Sequence, residues 1–132
     1  NVMPHMKALG GGSIVNIASV SAMVAQAAFV PYNASKGALL QLTRCLALDL
    51  APNGIRVNCV CPGSVLTQAT EAHRKFTGTD RDDFLREAGS SNFLKRIAHP
   101  REIAYGALFL ASDESSFMTG SPLIMDGGAT AQ

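Results

Sequence analysis

The sequence predicts an α/β fold of three parallel strands joined by crossover helices. Three observations point to it. Short β-branched or apolar runs at Ser13–Ala18, Ile55–Cys61 and Leu123–Met125 have strand character. Long helical patterns separate these runs, so each strand is followed by a helix before the next strand begins. Crossovers of that length join parallel neighbours, and they do so with a right-handed turn. At 132 residues the chain fits one domain, 1–132, with a modest core. Its 47% hydrophobic and 16% charged residues suit a globular chain rather than a disordered one. A formal net charge of +1 gives no reason to expect a nucleic-acid or anionic-membrane partner. No apolar run approaches a membrane span, and no signal peptide opens the chain.

Taken in order, Asn1–Leu9 reads as the last turns of a helix, stopped by Gly10–Gly12, with Met3, Met6 and Leu9 on one face. Ser13–Ala18 is apolar enough to be buried on both sides. Ser19–Val30 is a small-residue loop with the make-up of a pocket wall. A long helix spans Pro31 to Ala51, with proline in its first turn and a stop at Pro52-Asn53-Gly54. Leu39, Leu42, Leu46 and Leu50 form one apolar stripe and Leu40 and Ala47 a second, so the helix should pack on two sides. After the strand Ile55–Cys61, Pro62–Thr67 leaves the carboxyl end, where open parallel sheets bind ligands. Gln68–Ala98 is the most polar part. It reads as two short helices broken at Thr77-Gly78-Thr79, suited to a mobile flap over a pocket. Pro100–Ser112 is a helix with Glu102 near its positive end and Ile103, Ala107 and Leu110 turned inward. Thr119–Pro122 leads into the last strand, and Asp126-Gly127-Gly128 turns out of it.

The chemistry-bearing pair is Tyr32 and Lys36, four residues apart at a helix start, which places both on one face about 6 Å apart along the axis. An ammonium near a phenol favours the phenolate, by about 3–4 kcal/mol at about 4–5 Å and an effective dielectric of about 20. Such a pair can exchange a proton near neutral pH. Ser19 ends the first strand thirteen residues before Tyr32, so a strand end delivers a hydroxyl beside the helix start that delivers Tyr and Lys. The three cysteines, Cys45, Cys59 and Cys61, are odd in number. Cys59 and Cys61 alternate along a strand and point to one face, and His73 and His99 are not spaced to complete a metal site. They read as buried free thiols of a reducing cytoplasm.

These pieces resemble the short-chain dehydrogenase/reductase family. The matching residues are Gly12-Ser13-Ile14-Val15-Asn16-Ile17-Ala18-Ser19, Tyr32-Asn33-Ala34-Ser35-Lys36, Asn58 through Pro62-Gly63-Ser64-Val65-Leu66-Thr67, and Asp126-Gly127-Gly128. They stand in the family's order and at its spacings, and cover essentially the whole chain. The resemblance implies the C-terminal half of a doubly wound, Rossmann-type sheet. It also implies an NAD- or NADP-dependent oxidoreductase acting on a small-molecule alcohol or carbonyl. Tyr32 would be the general acid/base, Ser19 would bind the substrate oxygen, and Lys36 would tune Tyr32 and hold the nicotinamide ribose. Pro62, Gly63, Val65 and Thr67 would lie against the cofactor. Val65 would offer backbone groups to the carboxamide, and Thr67 its hydroxyl to the carboxamide or pyrophosphate. The resemblance further implies a homodimer or homotetramer assembled through the long helix and through the last helix and strand.

Two features stand apart from the family's full pattern. No G-x-G-x-x-G follows a strand, so the dinucleotide's phosphate cradle is not in this sequence. The family's relay Asn would lie further upstream, since Asn1 is too close to Ser19 to be that residue. A catalytically silent fragment, a binding or scaffold protein on the same fold, and an isomerase or epimerase using the same Tyr/Lys pair are the competing readings. Pro62-Gly63, Thr67 and the closing Asp126-Gly127-Gly128 suit the simple dehydrogenases better than the last of these.

Overall fold

The structure is a computed structural model, and it describes residues 2–131. Its elements are α1 (Met3–Ala8), β1 (Gly12–Ile17), α2 (Val30–Leu50), β2 (Ile55–Pro62), α3 (Gln68–Thr77), α4 (Arg81–Ser90), α5 (Pro100–Ala111) and β3 (Pro122–Met125). The sheet order is β1-β2-β3 with both pairings parallel, as the crossover lengths require. The expected start of the first helix, at Asn1, lies outside the described residues.

β2 is the central strand, and the molecule is built around it. Ile55, Val57, Cys59, Val60 and Cys61 are all but inaccessible. Its odd-numbered side chains pack beneath α2 in two groups. Cys59 and Cys61 join Ala18 and Leu40 near the strand's carboxyl end, and Ile55 and Val57 join Ala47 and Leu50 near its amino end. Arg56 turns to the other face. There it donates to the Leu110 carbonyl at 3.1 Å, the Ser112 carbonyl at 2.9 Å and the Ser115 hydroxyl at 2.9 Å, closing the C-terminal end of α5. Asn58, fully buried, donates to the Met118 carbonyl at 2.7 Å and accepts the Ser121 N–H at 3.1 Å, which fixes the approach to β3.

Where β1 and β2 begin, glycine is required on both sides. Gly54 sits at φ +68°, and a Cβ on Gly11 would come 2.7 Å from the Gly54 carbonyl oxygen. The backbones touch there, and the Gly12 N–H donates to that same oxygen at 3.3 Å.

Three expectations change in detail. β1 is half-buried rather than enclosed, with Ile17 at its end 49% exposed, because β2 pairs only one of its edges. On α2 the buried positions are Leu40, Thr43, Ala47 and Leu50, whereas Leu39 and Leu46 are half-buried and Leu42 is exposed. The anticipated leucine stripe straddles the contact line instead of defining it. On α1, Met3 and Met6 reach the core, but Leu9 is the C-cap and stands in solvent, since the helix ends one residue before it.

Candidate active site

The ladder between β1 and β2 runs one residue past β1, through the Ala18 N–H to the Val60 carbonyl at 2.8 Å. Ser19 therefore emerges at the carboxyl end of the sheet, in extended backbone, as the N-cap of a 3-10 turn over Val20–Ala22. It is 8% exposed. Its hydroxyl oxygen accepts the Ser21 N–H at 3.1 Å, and its own proton goes to the Ser21 hydroxyl at 3.1 Å. The Ser21 hydroxyl in turn donates to Gln26 Oε1 at 2.9 Å. Asn33 Nδ2, next to Tyr32 on α2, donates to the Gln26 backbone carbonyl at 3.1 Å, tying the loop to the helix.

Pro31 occupies the first turn of α2, where its missing N–H costs nothing. One turn of helix brings Lys36 Nζ to 5.6 Å from the centre of the Tyr32 ring, within reach of a cation–π contact. The same ammonium donates to the Ile17 carbonyl at 3.0 Å. Lys36 thus links Tyr32 to the end of β1, two residues before Ser19. Tyr32 is 42% exposed. Phe29 presents an edge contact to the Tyr32 ring at 6.2 Å, and lies 6.4 Å from the imidazole of His73 on α3. α3 therefore leans on the loop that precedes Tyr32.

The Pro62–Thr67 loop is pinned from both sides. The Gly63 N–H donates to the Met125 carbonyl at 3.1 Å, and a Cβ on Gly63 would come 2.9 Å from the Asp126 Cα, so only glycine fits against the Asp126 turn. Val65 forms a parallel bridge with Ala98 through the Ser64 carbonyl and the Leu66 N–H. That pattern turns the N–H and C=O of Val65 itself to the opposite side of the loop, where the carbonyl already accepts the Thr70 hydroxyl at 3.0 Å. Thr67 is the N-cap of α3 in a reciprocal capping box with Thr70, its hydroxyl oxygen accepting the Thr70 N–H at 3.2 Å. The Thr67 oxygen is thereby partly committed. The Val65 N–H thus faces away from the bridge, a donor suited to an amide oxygen, and the Lys36 ammonium stands beside Tyr32, a donor suited to hydroxyl oxygens.

The flanking electrostatics are structural in character. Burial works to raise the Asp126 carboxyl, but hydrogen bonds from the Thr130 hydroxyl and from the Gly128 and Thr130 N–H groups outweigh it and hold the group below the usual range. The Arg96 guanidinium, bidentate to Glu102 at 2.8 and 2.6 Å, and the His99 N–H hold Glu102 down at about 2. Cys59 and Cys61 lie with their sulfurs 3.8 Å apart, side by side as the alternation predicts, and both are fully buried. The Cys59 thiol against it, together with burial, pushes the Cys61 thiol far up, so this sulfur stays protonated. A cavity of about 350 Å³ beside Asp126–Gly128 is lined by Ser64, Asn92, Arg96 and Ile103 and includes none of Ser19, Tyr32 and Lys36. Among the described residues, no helix is long and apolar enough to cross a membrane.

The structure thus ties Lys36 to Tyr32 and to the strand that ends at Ser19, and sets Val65 and Thr67 on a loop leaving the neighbouring strand. Reading the sequence alone misses Ser21, Gln26 and the Phe29–His73 contact. A serine two residues after Ser19 signals a turn, but nothing in the sequence ties it to Gln26.

The Enoyl-(acyl carrier protein) reductase family model matches residues 1–130. The chain belongs to the short-chain dehydrogenase/reductase family. An uncharacterized oxidoreductase of Thermotoga maritima is 43% identical over 127 residues, which cover 96% of this chain and 50% of that protein. Ligand-free aldohexose dehydrogenase of Thermoplasma acidophilum superposes with a TM-score of 0.90 at 37% identity, over 98% of this chain and 52% of the other. L-sorbose reductase of Gluconobacter frateurii, solved with NADPH and L-sorbose, gives 0.88 at 33% identity, over 98% of this chain and 51% of the other. The chain spans about half the length of the relatives it matches.

Proposed function

We propose that this chain is the acid/base half of a nicotinamide-dependent oxidoreductase that interconverts an alcohol and a carbonyl. The observation that carries the reading is Lys36, whose ammonium stands 5.6 Å from the Tyr32 ring while bonded to the end of the strand that delivers Ser19. In carbonyl reduction Tyr32 gives its phenolic proton to the substrate oxygen, and in alcohol oxidation it takes that proton back. The Ser19 hydroxyl donates to the same oxygen and stabilises the charge that develops on it. Lys36 stands beside the Tyr32 ring and offers its remaining N–H donors to ribose hydroxyls, while the backbone of Val65 and the hydroxyl of Thr67 meet the carboxamide end. Pro62 and Gly63 shape the turn that lets that end approach. When bound, the nicotinamide supplies or accepts the hydride. NADP or its reduced form accompanies two of the family's solved structures, which supports NAD or NADP here. Segment 68–98, with α3 leaning on Phe29 through His73, acts as the substrate flap.

The experiment is Tyr32→Phe in a polypeptide that carries this chain together with a dinucleotide-binding half. Turnover is expected to fall by at least about a hundredfold with an unchanged melting temperature; near-normal turnover would sink the assignment. For the 132-residue chain alone, with no phosphate cradle in its sequence, cofactor affinity should be lower by a factor of about a thousand, several kcal/mol of grip being missing. Micromolar NAD(H) or NADP(H) binding by titration calorimetry would contradict that.

A further inference from the structure

We infer that Gln26, acting through Ser21, is a positioning residue that sets the direction of the Ser19 hydroxyl. The inference rests on the reading of Ser19 as the group that binds the substrate oxygen. The observation is a directed chain of hydrogen bonds: Ser19 O–H to Ser21 Oγ at 3.1 Å, then Ser21 O–H to Gln26 Oε1 at 2.9 Å. Ser19 and Ser21 are both more than nine-tenths buried, so water does not compete freely for either hydroxyl.

The polarity follows from what each atom can do. An amide oxygen only accepts, so the Ser21 proton is committed to Gln26 and a Ser21 lone pair is left facing Ser19. Ser19 must then be the donor in the Ser19–Ser21 bond. One of its own lone pairs is filled by the Ser21 N–H at 3.1 Å, a backbone donor that side-chain substitution leaves in place. A substrate oxygen therefore competes with a single acceptor, Ser21 Oγ, for a proton already presented in the donor sense. Without the Gln26 oxygen, the Ser21 hydroxyl can turn and donate to Ser19, and the presentation is lost. Gln26 itself is exposed, and its backbone carbonyl is held by Asn33, next to Tyr32, so the amide projects from a fixed point.

The test is steady-state kinetics of Gln26→Leu, Gln26→Glu, Ser21→Ala and Ser19→Ala in the polypeptide that carries both halves. Gln26→Leu should lower kcat about fivefold to tenfold, the worth of one hydrogen bond, with the cofactor KM and the melting temperature unchanged. Gln26→Glu keeps the acceptor and should recover to within about twofold of the unsubstituted protein, a recovery that simple filling of space would not give. Ser21→Ala removes the link between Gln26 and Ser19 while keeping the backbone donor, and should lower kcat at least as much as Gln26→Leu; a wild-type kcat in that variant also overturns the inference. Wild-type kcat in Gln26→Leu, or Gln26→Glu as slow as Gln26→Leu, overturns the inference. Ser19→Ala separates it from the reading beneath it. If that variant is inactive while Gln26→Leu is unaffected, only the role of Gln26 fails. If Ser19→Ala keeps full turnover, the role of Ser19 fails and that of Gln26 with it.

Discussion

Replacing Arg56 by Met should cost more stability than any surface arginine, and the structure allows the amount to be worked out. Arg56 leaves the amino half of β2 on the face toward α5 and spans three strong acceptors: the Leu110 and Ser112 carbonyls and the Ser115 hydroxyl. Two of these belong to the last turn and cap of α5, where the helix has unpaired carbonyls and its negative dipole end. Methionine keeps the stem's bulk, so packing loss is small and the guanidinium is what disappears. The acceptors are not orphaned, because the Leu110 carbonyl still receives the Ser13 hydroxyl at 2.7 Å, which leaves the single Ser115 O–H, 3.1 Å away, for the Ser112 carbonyl. The loss is therefore that of charge-assisted bonds, about 2 kcal/mol, rather than the larger penalty of stranded buried groups. For a chain of this size that corresponds to a melting temperature lower by roughly 6–12 °C. Circular dichroism melts of Arg56→Met, Arg56→Lys and Arg86→Ala provide the measurement. Arg86 pairs with Asp83 through side chains 75% and 60% exposed, so its loss should move the melt by no more than about 2 °C. Arg56→Lys keeps the charge but not the fork, and should fall between the two. An Arg56→Met melt indistinguishable from that of Arg86→Ala would refute the reasoning.

Gly106→Ala should destabilise by about 1–3 kcal/mol, since its new methyl would run into the Met125 sulfur and lie 3.2 Å from Leu123 Cδ2; the melt of a Gly106→Ala/Met125→Ala pair, expected to recover part of the loss, checks the cause. Glu102 is held at about 2 against an ordinary 4.5, so its ion pair stabilises the fold above about pH 4.5 and is lost as pH falls through about 2. Glu102→Gln should flatten the stability profile in that window, and an unchanged acid slope would contradict it. Native alkylation followed by mass spectrometry should add one group, at exposed Cys45, and three only in denaturant; two adducts on the folded chain would mean that Cys59 and Cys61 are not sealed. The exposed Leu42 and Leu48 of α2, with Tyr105 and Leu108 of α5, lead us to expect a homodimer or homotetramer at micromolar concentration, which light scattering showing a monodisperse monomer would count against.

Much of this was legible because it depends on local chemistry. Gly54 does adopt the left-handed backbone where the turn after the long helix stops, and Pro31 and Pro100 do sit in the first turns of their helices. The parallel orientation of the strands followed from crossover length. Partial exposure was not legible, because it depends on what lies beyond an element rather than on its residues. β1 reads like an enclosed strand yet has one unpaired edge, and Leu42 reads like a core leucine yet faces out. The long-range polar locks were invisible for the same reason. Nothing near Arg56 or Asn58 in the sequence announces that their partners are more than fifty residues away. At the candidate site, Tyr32 and Lys36 were readable as a helical pair, whereas the ammonium's bond to Ile17 and the Ser21–Gln26 link needed coordinates.

The two ends of β2 do different work, and the side chains under α2 show how they are coupled. Beneath the carboxyl half of α2 the strands supply Ile14, Ile55 and Val57, the larger aliphatic groups, whereas beneath its amino half they supply Ala18, Cys59 and Cys61. Smaller groups leave room for Leu40 beneath the amino half of the helix, since interiors packed at crystal-like density leave few voids. From the second turn of that half, Lys36 reaches the Ile17 carbonyl at 3.0 Å. The thiols are then better understood as small, buried spacers than as nucleophiles, with the Cys61 proton held firmly and neither sulfur exposed. A β-branched residue in place of Cys61 would press on Leu40 and Ala18 together. The first contact to lengthen would be the one between the ammonium and the end of β1, which is the contact that ties Tyr32 to the strand carrying Ser19.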